Sequence, residues 1–201
     1  MKHYPIIPWP GGKRRLAKKL NPIFDNRKHS CYVEAFAGGG SMLFMRQSVE
    51  SEVLNDINAD VVNGKVSSRT FGISPSSAPR FNYLRLETDL MQAHDRLCRV
   101  CIESLDWHTC ITKWDRDYTL FFLDPPYWQT EGYGVPFPLD EYERIAELMR
   151  SIKGAAVLTI NDHPDMRRIF KGYKMDSVDI DYTIGGGGKC KGRKELIYRN
   201  W

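Results

Sequence analysis

Short runs of β-branched and aromatic residues alternate along this chain with stretches whose apolar positions recur every three or four residues. The runs are CYVEAFA (Cys31 to Ala37), EVLNDI (Glu52 to Ile57), RVCIESLD (Arg99 to Asp106), TLFFLDP (Thr119 to Pro125), AAVLTIND (Ala155 to Asp162) and the C-terminal KMDSVDIDYTI and KELIYRNW. Nearly continuous apolar runs suit strands covered on both faces, and their alternation with helical patterns suits crossover connections. The pattern predicts an α/β fold built on one open, mostly parallel, seven-stranded sheet.

Two helices stand out between the strands. In NYLRLETDLMQAHDRLCRV the residues Tyr83, Leu86, Leu90, Ala93 and Leu97 share one face, with Asn82 placed as the N-cap. In PLDEYERIAELMRSIKG the apolar face is Tyr142, Ile145, Leu148, Met149 and Ile152, acids crowd the first turn, and Gly154 follows the end. Both read as amphipathic covers for the sheet. Residues 64 to 79 are rich in Ser, Gly and Pro and have no usable period, which reads as an ordered loop or small hairpin, or else a disordered linker.

Composition bounds the picture. The 201 residues, 42% hydrophobic and 27% charged, suit a single globular domain over residues 1–201. Five cysteines cannot all pair, and Cys98 and Cys101 form a lone C-x-x-C that reads as two free thiols in a reducing compartment. No run approaches the roughly 18 apolar residues of a membrane span, and the N-terminal apolar patch is broken by prolines, so a cytoplasmic, non-membrane protein is expected. The net charge of +4 is modest, but its distribution is informative. Residues 64–82 carry Lys65, Arg69 and Arg80 with no acid, and the stretch from Gly185 to Arg199 carries Glu195 as its one acid. These basic stretches suit a polyanion.

Candidate chemistry begins at VEAFAGGGSMLFM, a strand that runs into glycines and then a helix near Ser41. Glycines there let a ligand approach the backbone at the carboxyl end of the strands. The dinucleotide fingerprint needs a further glycine where this chain has Leu43, which argues against NAD. Asp56 ends the second strand at the place where an acid accepts from ribose hydroxyls. Glycine loop and acid together suggest an adenosine-containing cofactor; equally, they suit a tight structural connection. PWPGGKRR and GGGGKCK lack the spacing of a phosphate-binding NTPase loop.

The strand LFFLDPPYW ends on Asp124, Pro125, Pro126 and Tyr127. An ionised carboxylate accepts hydrogen bonds, consecutive prolines hold carbonyls out of any helix, and aromatic rings offer stacking faces. Such a set suits the exocyclic amine of a nucleobase.

The ordered set WPGGK, VEAFAGGGS, NDIN, LDPPY and LTINDHPDMRRIFKGY resembles the Dam-type (D12 class) DNA adenine-N6 methyltransferases. That resemblance implies a Rossmann-like S-adenosylmethionine-dependent methyltransferase fold, double-stranded DNA as partner, S-adenosyl-L-methionine as cofactor and no metal. It implies methylation of the N6 amine of an adenine flipped out of the duplex, by a monomer. It places Trp9, Lys13, Phe36, Gly38, Gly40, Asp56 and Asp124 beside the cofactor, and Asp124, Pro125, Pro126 and Tyr127 at the reacting amine. Lys65, Arg69 and Arg80 become candidates for DNA backbone contacts. Related chains carry several helical turns between a strand ending NDIN and a stretch like GKVSSRTFG, whereas here the two nearly abut, which implies a reduced recognition insertion over residues 64–82. The alternative is a shortened cofactor- or DNA-binding homologue with little turnover.

Overall fold

The computed structural model describes residues 13–58, 86–130, 136–180 and 193–201. Trp9, the basic stretch with Lys65, Arg69 and Arg80, the expected N-cap Asn82 with Tyr83, and the glycine run after Ile184 lie outside the described residues.

The strands are β1 (Cys31–Glu34), β2 (Ser51–Asn55), β3 (Val100–Glu103), β4 (Thr119–Leu123), β5 (Ala155–Asn161), β6 (Lys174–Ile180) and β7 (Arg193–Arg199). They form one seven-stranded sheet in the order β3-β2-β1-β4-β5-β7-β6. Strands β1 to β5 pair in parallel, and β7 runs antiparallel between β5 and β6. The expected α/β fold is thus present, and the order reverses between β1 and β4. A crevice opens at the carboxyl ends of strands where the order reverses in this way.

Alternate residues of each central strand feed separate cores. Leu120 and Phe122 of β4 enter one, with Tyr32 of β1 and Val157 of β5. Phe121 and Leu123 enter the other, with Val33, Ala156 and Leu158. The first face is covered by α1 (Ala17–Asp25) through Leu20 and Phe24, and by α2 (Ser41–Met45) through Met42 and Leu43. The second is covered by α4 (Trp107–Trp114), α5 (Leu139–Ser151) and α6 (Pro164–Ile169). Burial on both faces is why these strands read as apolar runs rather than as an alternation.

Helix α3 (Leu86–Leu97) departs from its expected face. Ala93 is buried and Leu97 packs on the core, but Leu90 is 48% exposed. Its inward anchor is Arg96, whose Nη2 donates to Glu52 Oε1 at 2.8 Å and to the Leu43 carbonyl at 3.0 Å. The edge strand β3, with Cys101 and Ile102 exposed, leaves little apolar surface for Leu90 to meet. Strand β3 is also shorter than RVCIESLD predicts. Beyond Glu103 the chain is held instead by Asn55, whose side chain donates to Leu105 O and accepts from Leu105 N. Asp106 then caps α4, accepting from Thr109 N at 3.0 Å.

Candidate active site

A cleft of about 500 Å³ opens at the carboxyl ends of β1, β2 and β4. Its floor is the glycine loop. Gly38 and Gly40 both adopt left-handed backbone, at φ 49° and 61°, which only glycine takes without strain. That geometry lets Gly40 N donate to Ala37 O and starts α2 at Ser41. Asp56 clasps the loop: Oδ2 accepts from Gly38 N and Oδ1 from Asn58 N, each at 2.9 Å. The acid expected to meet a ribose therefore also fixes the loop, and each oxygen keeps a second lone pair for a ligand.

Asp124, one residue past β4, faces this loop. Its Oδ1 accepts from Lys13 Nζ and from Thr159 Oγ1, both at 2.8 Å. Burial pushes the Asp124 carboxyl above its ordinary range, while the Lys13 ammonium and the Thr159 hydroxyl pull it back. Lys13 itself is 4% exposed and sits 4.5 Å from the centroid of the Tyr127 ring, a cation on an aromatic face. Of the two prolines, Pro126 gives its carbonyl to the Tyr142 hydroxyl at 2.5 Å, while Pro125 stays on the cleft wall. Tyr142 of α5 thereby fixes the backbone that carries the carboxylate.

The next residues lock the turn from outside. Trp128 Nε1 donates to Asp165 of α6 at 3.2 Å, and the Trp128 carbonyl accepts from Asn161 at 3.0 Å. Trp128 thus turns its ring toward Tyr142, edge-on at 5.9 Å. Gln129 adopts φ 54°, left-handed for a non-glycine residue, and this closes a turn in which Thr130 N donates to Tyr127 O.

The structure brings Lys13, Phe36, Gly38, Asp56, Asp124, Pro125 and Pro126 together on the cleft wall, whereas Gly40 and Tyr127 do not line the cleft, Tyr127 meeting Lys13 through its ring. It adds residues that the sequence reading missed. Glu34, 1% exposed at the end of β1, lines the cleft, and burial pushes its carboxyl up to about 8 against hydrogen bonds from Tyr32 and the Leu43 backbone. Its signal was an acid inside an apolar run. Ile57, 55% exposed, and Trp107 give the cleft apolar surfaces; Phe36 stacks on Trp107 at 6.3 Å. Ile57 directly follows the strand-end acid, and Trp107 directly follows a helix cap, but neither position has a period that marks it.

Across the mouth, Glu141 of α5 accepts from Trp107 Nε1 at 2.7 Å and pairs with Arg144 at 2.6 Å. Among the described residues, no group of three or more His, Cys, Asp or Glu side chains converges as a metal site would require. None of the described helices is long and apolar enough to cross a membrane.

Residues 9–64 match the D12 class N6 adenine-specific DNA methyltransferases. Over 63 residues the chain is 41% identical to a DNA adenine methylase of Haemophilus influenzae, a stretch that is 31% of this chain and 21% of that protein. The chain thus matches about a fifth of the relative's length, and the family match over residues 9–64 holds the glycine loop and Asp56 but ends before Asp124. Solved structures share the architecture over nearly the whole chain. Precorrin 8w decarboxylase of Methanobacterium thermoautotrophicum superposes with a TM-score of 0.56 at 14% identity, over 98% of this chain and 94% of that one. The yhhF protein of Escherichia coli, assigned as a methyltransferase, gives 0.52 at 11% identity, over 96% and 90%. These structures share the seven-stranded, mostly parallel Rossmann-like α/β fold of this chain.

Proposed function

We propose that this protein transfers a methyl group from S-adenosylmethionine to the N6 amine of adenine in double-stranded DNA, at a base flipped into the cleft. The observation that carries the reading is the environment of the Lys13 ammonium. A nitrogen donor there meets the Asp124 carboxylate at 2.8 Å and caps the Tyr127 ring at 4.5 Å. An adenine amine needs a carboxylate acceptor and an aromatic face of this kind, with a proline carbonyl for its second hydrogen.

The cleft fits the cofactor on its own chemistry. Glycine backbone lies beside Asp56 for a ribose, and exposed Ile57 with the largely buried Trp107 suits a planar heterocycle. Asp56, Asp106 and Asp124 give the walls an acidic character suited to a cationic ligand. When bound, S-adenosylmethionine supplies an activated methyl group on a sulfonium leaving group.

The protein's part is to hold and orient the amine. Lys13 must yield its bond to Asp124, which then accepts one amine hydrogen while the Pro125 carbonyl takes the other. Hydrogen bonding of both draws the nitrogen lone pair out of the ring and toward the methyl group. Tyr142 and Thr159 keep the two acceptors in register. Tyr127 offers its face to the flipped base once Lys13 moves. Lys65, Arg69 and Arg80, outside the described residues, are the proposed backbone contacts to DNA.

Purified protein incubated with methyl-labelled cofactor and unmethylated duplex DNA is expected to place label in N6-methyladenine. Absence of label, under conditions where a related enzyme transfers it, would sink the proposal.

A further inference from the structure

The cleft that takes the base has an electrostatic problem at its mouth. Its walls carry the carboxylates Asp56, Asp106, Asp124 and Glu141. A flipped nucleotide brings a phosphate on either side of its sugar, and a phosphodiester drawn to an acidic rim is repelled unless a cation meets it. Among the described residues lining the cleft, the cations are Lys13 and Arg144. Lys13 lies at the floor, 4% exposed and paired with Asp124.

Arg144 differs in each respect. It stands on the first turns of α5, its side chain 51% exposed, with Nη1 at 2.6 Å from Glu141 Oε1. The guanidinium lies 5.4 Å from the centroid of the Trp107 ring, so its plane is braced by an aromatic face rather than free in solvent. Glu141 is itself fixed by the Trp107 indole N–H on its other oxygen. A guanidinium so held has unused N–H donors and costs little further order to engage a phosphate in the bidentate manner.

Resting on the function proposed above, we infer that Arg144 is the phosphate clamp of the target strand. It exchanges its pair with Glu141 for a phosphate flanking the flipped adenosine. Glu141 is the latch that holds Arg144 in place between encounters and competes with the phosphate for it.

The two residues then have opposite effects, and this sets the test. Binding of a fluorescein-labelled unmethylated duplex is measured by anisotropy across a sodium chloride series, and binding of S-adenosylmethionine by calorimetry. Arg144→Gln is expected to weaken duplex binding roughly three- to tenfold and to flatten the log–log salt slope by about 0.9, one phosphate's worth. Its affinity for the cofactor stays at the wild-type value. Glu141→Gln keeps an acceptor for the Trp107 indole and removes the competing charge, so it is expected to tighten duplex binding about two- to threefold. An Arg144→Gln protein with wild-type duplex affinity and salt slope, or one weakened toward the cofactor alone, overturns the clamp. Methyl transfer that persists without any dependence on Arg144 overturns the clamp and leaves the proposed function standing. Duplex binding that depends on Arg144, with no transfer by the wild-type protein, does the reverse.

Discussion

Lys13 and Asp124 meet at 2.8 Å across the floor of the cleft, although they lie far apart along the chain. One belongs to the 3-10 turn before α1 and the other to the end of β4. Burial drives the Asp124 proton affinity up and Lys13 is the largest force opposing it. The pair therefore sets the pH at which the site holds a carboxylate.

Replacing Lys13 with Met removes the charge and is expected to move the acid limb of the rate–pH profile to higher pH. The sign follows from the pair: Asp124 accepts the amine hydrogen only when ionised, and without the cation its folded-state pKa rises further. Initial rates of methyl transfer from pH 5 to 9, with saturating cofactor and DNA, check this. A limb that stays in place would show that Asp124 does not govern it.

Asp124→Asn keeps the shape and the Thr159 hydrogen bond but loses the strong acceptor. Loss of one positioned acid–base partner commonly costs on the order of 10²-fold or more in rate. We expect that fall in single-turnover rate, with circular dichroism and the melting midpoint close to wild type. An intact rate would move the chemistry elsewhere in the cleft.

Glu34 makes stability depend on pH in a defined direction. Its folded-state value, about 8, lies above the ordinary 4.5 because burial disfavours the carboxylate. The folded protein thus holds a proton that the unfolded chain releases. The stabilising contribution is complete below about 4.5 and is lost as pH rises through about 8. Glu34→Gln abolishes that loss. Relative to wild type it should gain on the order of 4 kcal/mol in urea unfolding at pH 8.5 compared with pH 5. An equal difference at both pH values would contradict the buried proton.

How far the residues reveal this molecule depends on what kind of force places them. The sheet was legible because Phe121, Val157 and their neighbours need cover on both faces, and an apolar run says so directly. The Asp124 to Tyr127 turn was legible because prolines act on the backbone locally. Leu90 misled, since helical spacing counts apolar residues without knowing that the facing strand β3 is an edge. Arg96 did the work assigned to Leu90 through an ion pair with Glu52, and an ion pair across 44 residues leaves no period. Glu141, Arg144 and Trp107 were invisible for the same reason: their meeting is a product of the crossover, not of spacing.

Arg96 is accordingly expected to matter more than any apolar residue of α3. Both its terminal nitrogens bond Glu52, which is 5% exposed and also pairs with Arg46 at 3.0 Å. Arg96→Leu leaves that carboxylate short of a partner and frees the Leu43 carbonyl, and breaking such a buried pair costs roughly 3–5 kcal/mol. A corresponding drop in the urea midpoint is the readout. Leu90→Ala, on the exposed side of the same helix, should cost about 0.5 kcal/mol or less. Equal costs would place the anchor of α3 outside the described contacts.

Gly154 looks like a helix stop in the sequence, yet α5 ends at Ser151 and Gly154 is there for space. A Cβ on it would stand 2.8 Å from Phe121 Cε2, 2.9 Å from the Thr119 carbonyl and 3.1 Å from the Arg116 carbonyl. Two of those atoms are backbone and cannot rotate away. The Asp115 carboxylate also accepts from the Lys153 and Gly154 amides, near 3 Å, so the segment has little freedom to retreat. Gly154→Ala must then push on β4, the strand that leads into Asp124. Forced overpacking of this kind costs typically 1–3 kcal/mol. We expect a lower melting midpoint and, because the displaced strand carries the carboxylate, a fall in transfer rate under conditions where the variant remains folded. A variant that loses stability while keeping its full rate would show that the Asp124 turn is held by Tyr142, Thr159 and Asn161 independently of where β4 begins.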